Sequence, residues 1–348
     1  MTTASAPAVT PRDADDRTTV VLEAPGRLHL GFLDPAGTLG RRFGSIGLVV
    51  EGYETRVGIG NADASHVSAA GPAEQAEIER AAEHLDTMQR RTGRREPLHL
   101  RLLEVLPAHA GFGSGTQLAL AVGRAFAQWH RLDVSTPTLA NWLGRGARSG
   151  IGIAGFDQGG LLVDGGPGPD GSPAPMLARA TVPAGWRVIV VQDSAGHGLS
   201  GAAERDAIAL LPPLAQALSA EICHQVLMRV LPGIASAEFA PFAAGVGHVQ
   251  QVLGRHFAPA QGGSAFTSAA VGRLVEWIEQ HGPAPAATGQ SSWGPTGFAI
   301  VESEADANAI VDAARVARVV GPSIAMRIVA GRNAGAVVTD ARPVSGMR

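Results

Sequence analysis

The 348-residue chain contains no lysine; all 28 of its basic residues are arginine. That excludes Schiff-base chemistry, a lysine-anchored pyridoxal phosphate and a Walker-type phosphate loop. Any phosphate bound here must be met by arginine, main-chain N–H groups or a metal ion. Cysteine is almost as scarce. Cys223 alone excludes an internal disulfide and a cysteine-built zinc or iron–sulfur centre, and it is compatible with a reducing, cytoplasmic setting. No run reaches the roughly 18 apolar residues a membrane helix needs. Residues 1–17, rich in Ala, Thr, Pro and Asp, lack the apolar core of a secretory signal. A formal net charge of −3 gives no general polyanion-binding character, so neither nucleic acid nor membrane is an expected partner.

What is present suits a two-domain globular protein. Hydrophobic residues make up 45% of the chain, ample for buried cores. The expected organisation is a disordered leader over 1–19, an N-terminal domain over 20–183 and a C-terminal domain over 184–348. A first strand opens at Val20 and is expected to stop at Pro25-Gly26; further strands are expected at 46–50 and 54–59, separated by Gly turns. Helices are expected over 73–91, 117–129 and 136–143, with a strand over 98–106 between the first two. The turn-rich stretch 167–173 reads as a hairpin tip. Beyond it, a strand over 186–191 precedes helices near 201–231, 236–257 and 265–281. A strand at 298–301, a helix at 304–317 and a strand at 325–330 complete the pattern.

Four segments carry the chemistry. In Gly111-Phe112-Gly113-Ser114-Gly115-Thr116, three alternate glycines let main-chain N–H groups converge just before an apolar helix. Such a nest binds phosphate without lysine. Ser114 and Thr116 add hydroxyls for phosphate or a metal ion; the bland alternative is a tight turn with a Ser or Thr cap. Asp157 lies among glycines in an apolar stretch. It reads either as a general base or stabiliser of developing positive charge, or as a turn-capping residue. Arg27 and His29, two apart on a strand, share a face and could hold an anion. The alternative is a surface arginine beside a core histidine. Finally, Ser291, Ser292, Trp293 and Thr296 sit in Gly-Gln-Ser-Ser-Trp-Gly-Pro-Thr-Gly (289–297), either a ligand-facing loop or a turn plugged by Trp293. His109 and His197 are further candidates.

These segments, in this order, resemble the GHMP superfamily of small-molecule kinases and their relatives. Ala24-Pro25-Gly26-Arg27 is similar to its first motif, Pro107–Gly115 to its phosphate loop, and Gly155-Phe156-Asp157-Gln158 to the element carrying a catalytic Asp in several members. Within it, the runs at 26–34, 148–152, 155–160 and 289–297 resemble the β-ribofuranosylaminobenzene 5′-phosphate synthases. The resemblance implies an α+β, two-domain GHMP kinase-like fold, with a ribosomal S5 domain 2-like N-terminal half and a ferredoxin-like C-terminal half.

It also implies condensation of phosphoribosyl pyrophosphate with 4-aminobenzoate or 4-hydroxybenzoate. Pyrophosphate and CO₂ leave, and a C-glycoside forms toward methanopterin-type C1 carriers. Mg²⁺ is expected as cofactor, through Ser114 and Thr116, and a homodimer as the assembly. No pyridoxal phosphate is needed, because the sugar cation is itself the electrophile. On this reading Gly111, Gly113, Ser114, Gly115 and Thr116 hold phosphate. Arg27 and Arg148 hold the carboxylate or the 5′-phosphate, and Ser291, Ser292, Trp293 and Thr296 face substrate. Asp157, with Arg27 and His29, acts in catalysis, so that Asp157→Asn costs orders of magnitude in rate. Two rivals are an ATP-dependent kinase of the same fold and a non-catalytic metabolite-binding protein.

Overall fold

The strand that opens near Val20 runs well past Pro25-Gly26, as β1 (Thr18–Asp34). Its register against β2 (Phe43–Asn61) shifts between Pro25 and Arg27 and again between His29 and Gly31. Such irregularities accommodate a residue without an N–H and re-aim the side chains beside it. β2 likewise fuses two expected strands, bending at Gly52 (φ 73°) rather than ending there. The computed structural model describes residues 18–71, 73–196 and 210–342. The leader up to residue 17, His197 and the start of the helix expected from 201 lie outside the described residues.

β3 (His66–Ala69), α1 (Gln75–Thr92) and β4 (Leu98–Glu104) follow, then α2 (Ser114–Trp129), α3 (Thr136–Trp142) and α4 (Ile151–Gln158). β5 (Leu161–Asp164) and β6 (Met176–Ala180) form the hairpin whose tip the sequence marks. The first sheet has the order β11-β1-β2-β4-β3, with β5 on the first half of β2 and β6 on β5. Its last member, β11 (Val337–Asp340), pairs with β1, so the final described strand returns to the sheet in which the chain began. Leu22, Val57, Leu100, Leu120 and Phe126 are fully buried where α1 and α2 cover this sheet.

The second sheet, all antiparallel, has the order β10-β7-β9-β8, from β7 (Arg187–Asp193), β8 (Ala287–Gln290), β9 (Thr296–Val301) and β10 (Ile324–Ala330). Where one helix was expected to reach residue 231, α5 (Gln216–Gln225) runs through one wide turn, Val226–Val230, into α6 (Leu231–Ala235). α7 (Phe239–Phe257), α8 (Ala269–His281) and α9 (Glu304–Val316) complete the half. α8 and α9 cover one face of the sheet, where Ile189, Leu274 and Ile310 are buried. A third cluster joins the halves, with Leu28, Leu48 and Phe112 packed together with Val190, Val249 and Phe298. Among the described residues, no helix is long and apolar enough to cross a membrane.

Arg332 fastens the returning segment. Its Nη1 donates to Glu23 at 2.8 Å and lies 3.6 Å from Glu54, while Nε and Nη2 donate to the carbonyls of Ala334 and Gly335. Burial already pushes the Glu54 carboxyl above its ordinary range. Arg332→Met should therefore leave the Glu54 carboxylate without its charged partner and cost about 2 kcal/mol, read as a lower urea midpoint. An unchanged midpoint would remove Arg332 as the fastener.

Candidate active site

Three segments distant in sequence interlock around one hydroxyl. Ser291, fully buried after β8, accepts the main-chain N–H of His29 at 2.9 Å and donates to the carbonyl of Gly111 at 2.8 Å. Ser292 N–H donates back to His29 O at 3.3 Å, and Arg27 Nη1 donates to Gly111 O at 2.8 Å. The fit is close enough to require glycine twice. A Cβ on Gly111 (φ 94°) would lie 2.6 Å from the Ser291 carbonyl, and one on Gly294 would lie 2.5 Å from Gly111 N.

The phosphate-loop segment ends inside α2, which begins at Ser114, three residues before the expected start. Gly113, left-handed at φ 76°, is the N-cap, and its carbonyl accepts from Thr116 and Gln117. The N–H groups of Ser114 and Gly115 therefore have no helical acceptor, and the positive end of the helix dipole lies with them. They border an open cleft of about 320 Å³. Gly111, Gly113, Ser114, Gly115 and Thr116 line it, together with Arg27, Arg80, Arg145, Arg148, Ser292 and Trp293. Four arginines and a helix N-terminus converge there, and no carboxylate is among the lining residues. That is a site for a highly charged anion.

His84 holds one of these arginines. Its Nε2 lies 3.2 Å from Arg145 Nη2. Burial first, then Arg145 and Arg80, lower the imidazole pKa to about 4, so a neutral ring accepts from the guanidinium. Arg80 is in turn paired with the buried Glu77 one turn back along α1. The i, i+4 spacing of Arg80 and His84 was visible in the sequence, but nothing there said which way that face of α1 points.

Behind Ser292 and Trp293 lies a second, small recess of about 40 Å³, walled by His29, Phe32, Leu253, Phe257 and Trp293. His29 is 4% exposed, and its Nε2 has no hydrogen-bond partner. Burial, then the nearby Arg27 and Arg148, hold its pKa well below the usual imidazole value. Arg27 and His29 thus serve two adjoining spaces rather than one face.

Several expected site residues lie elsewhere. Asp157 is exposed near the C-terminal end of α4 and accepts from Thr136 Oγ1 at 2.6 Å. The cleft is at the other end, where the start of α4 meets Thr116. The glycines that suggested a dry site are turns of a helix whose other face is buried. The buried acid nearby is Asp164, which ends β5. Its Oδ2 accepts from Gly150 N (2.7 Å), Ile151 N (3.1 Å) and Ser149 Oγ (3.1 Å), capping α4. Ser291 spends its hydroxyl on the interlock described above, and Thr296 is wholly buried in β9; neither faces the cleft. Ser114 and Thr116 do face it, but two hydroxyls without a carboxylate make a poor donor set for a resident magnesium ion. Among the described residues there is no cluster of three or more His, Cys, Asp or Glu suited to a metal.

Comparison with known proteins fits this geometry. Residues 77–161 match the GHMP kinases N-terminal domain and 251–317 the GHMP kinases C-terminal domain. The β-ribofuranosylphenol 5′-phosphate synthase of Methanothermobacter thermautotrophicus is 30% identical over 333 residues, covering 91% of this chain and 98% of that one. The synthase of the same name from Archaeoglobus fulgidus is 32% identical over 296 residues, covering 82% and 88%. The chain belongs to the β-ribofuranosylphenol 5′-phosphate synthase family. Solved structures share the fold at low identity. Homoserine kinase from Cytophaga hutchinsonii has a TM-score of 0.62 at 16% identity, covering 95% of this chain and 100% of that one. Mevalonate diphosphate decarboxylase from Staphylococcus aureus has 0.64 at 14%, covering 93% and 98%. Membership of the synthase family makes the chain a transferase of that general type.

Two outcomes follow from the site's construction. Ser291→Ala leaves the N–H of His29 and the carbonyl of Gly111 short of a partner. It should lower stability by about 1–3 kcal/mol in urea titration, and a loss near zero would show that the interlock does not depend on this hydroxyl. His84 binds a proton more readily unfolded than folded. Its contribution is therefore complete above pH ~6.5 and is lost as pH falls toward about 4. The decline in melting temperature over that window should be shallower in His84→Phe, and equal slopes would contradict the assignment.

Proposed function

We propose that the protein condenses phosphoribosyl pyrophosphate with a para-substituted benzoate, releasing pyrophosphate and CO₂ and leaving a C-glycoside for a methanopterin-type carrier. The relatives are named for a ribofuranosylphenol, which favours 4-hydroxybenzoate over 4-aminobenzoate as acceptor. One observation carries the reading: a cleft with four arginines, free helix N–H groups and no carboxylate lies against an aromatic-walled recess.

Departure of the diphosphate is the step that such a cleft promotes. As the anomeric C–O bond breaks, negative charge gathers on the leaving phosphates, where the N–H groups of Ser114 and Gly115 and the arginines face it. The electron-poor anomeric carbon is captured by the ring carbon that bears the carboxylate. The C–CO₂ bond then breaks, its electron pair restores the aromatic ring, and CO₂ departs. Arg27 and Arg148 meet the carboxylate or the 5′-phosphate. No step requires an electron sink, and none is assigned to Asp157 or to a protein-held metal. Expression in the cytoplasm and assembly as a homodimer complete the proposal.

The test supplies phosphoribosyl pyrophosphate and carboxyl-¹⁴C 4-hydroxybenzoate or 4-aminobenzoate, with and without magnesium, and counts labelled CO₂. Release is expected with the hydroxy acid. Arg148→Met should slow it by about 10²-fold or more, whereas Asp157→Asn should leave it nearly unchanged. Failure of both acids to release label would overturn the proposal.

A further inference from the structure

Arg145 follows α3 in a turn with a positive-φ glycine on either side, Gly144 (66°) and Gly146 (93°). Its main-chain N–H donates to Ala140 O at 2.7 Å, but α1 sets where its side chain points. Nη2 lies 3.2 Å from His84 Nε2, and Nη1 lies 3.5 Å from where a Cβ on Gly115 would be. The guanidinium is thus held over the first turn of α2, beside the N–H groups of Ser114 and Gly115. Arg80, one turn before His84 on α1, lines the same cleft. Burial first and then Arg80 hold the Arg145 guanidinium below its usual pKa. Cations crowded in this way are relieved by an anion beside them.

The tether is neutral. A carboxylate at position 84 would orient Arg145 and offset its charge as well. The imidazole of His84, whose pKa of about 4 keeps it uncharged at neutral pH, orients the guanidinium and leaves its charge whole. Arg80, by contrast, shares its charge with the buried Glu77.

We propose that Arg145 and Arg80 take the terminal phosphate of the donor's diphosphate, with His84 as the residue that positions Arg145. The proposal rests on the reaction proposed above and adds which arginines meet the leaving group. Arg27 lies against Gly113 instead, its guanidinium carbon 3.1 Å from where a Cβ there would be, and with Arg148 it acts on His29. That pair is left to the carboxylate or the 5′-phosphate. As the anomeric C–O bond breaks, the diphosphate gains charge. A whole positive charge already aimed at it is worth most at that moment. A sugar that bears only monophosphates leaves the Arg145 position empty, so the cleft selects a sugar diphosphate.

Calorimetric titration of the full chain with inorganic pyrophosphate and, separately, with ribose 5-phosphate tests this, with CO₂ release from the labelled benzoates measured in parallel. Wild-type protein should bind pyrophosphate. Arg145→Met should weaken that binding about tenfold or more, the worth of one charged hydrogen bond, while ribose 5-phosphate binds as before. His84→Phe should weaken pyrophosphate in the same way. His84→Gln, whose amide oxygen can accept from Arg145, should recover most of the loss. Equal pyrophosphate binding by wild type and Arg145→Met, or a loss as large for ribose 5-phosphate, would overturn the subsite. His84→Gln no better than His84→Phe would remove His84 as the positioning residue. If pyrophosphate follows Arg145 and His84 as stated but no CO₂ is released, the subsite stands and the reaction falls. Release of CO₂ with pyrophosphate binding indifferent to Arg145 gives the reverse.

Discussion

The hydroxyl of Ser291 accepts from one segment of the chain and donates to another, and the site exists because of that double engagement. On one side it takes the N–H of His29 in β1, and on the other it gives its hydrogen to the carbonyl of Gly111 in the loop before α2. The loop from the C-terminal half is thereby pressed onto two elements of the N-terminal half. Neither half alone makes the cleft or the recess. The absent side chains of Gly111 and Gly294 make the contact possible, since a Cβ at either would collide with main chain.

Around that joint, charge and apolarity are sorted into adjacent volumes. The cleft gathers arginines from β1, from α1 and from the turn before α4, and no carboxylate residue lines it. Lacking lysine, the protein has planar guanidiniums and main-chain N–H groups to offer an anion there, groups fixed in direction in advance. The smaller recess beside it is walled largely by rings, with the buried His29 among them.

Much of this was legible in the sequence. The glycine nest, Arg27, Arg148 and the Trp293 run all converge on the cleft. The order of strands and helices was also readable, because alternation and helical spacing are local properties. What was misjudged depended on context that periodicity does not encode. Pro25-Gly26 looked like a strand end, yet a register shift carries β1 through it. Asp157 looked buried because its neighbours are apolar, but those neighbours form the inner face of a short helix and the carboxylate points outward. Ser291 and Thr296 looked like ligand contacts, whereas one joins the two halves and the other is sealed in β9. Arg80 and His84 were passed over because only tertiary packing turns α1 toward the loop.

The central claim is that the start of α2 and the arginines around it grip the diphosphate of a sugar donor. Crystals grown with phosphoribosyl pyrophosphate test it most directly. The account predicts phosphate oxygens within hydrogen-bond reach of the main-chain N–H groups at Ser114 and Gly115, with guanidiniums of Arg27 or Arg148 alongside. A donor lodged elsewhere, with that cleft filled only by solvent, would contradict it.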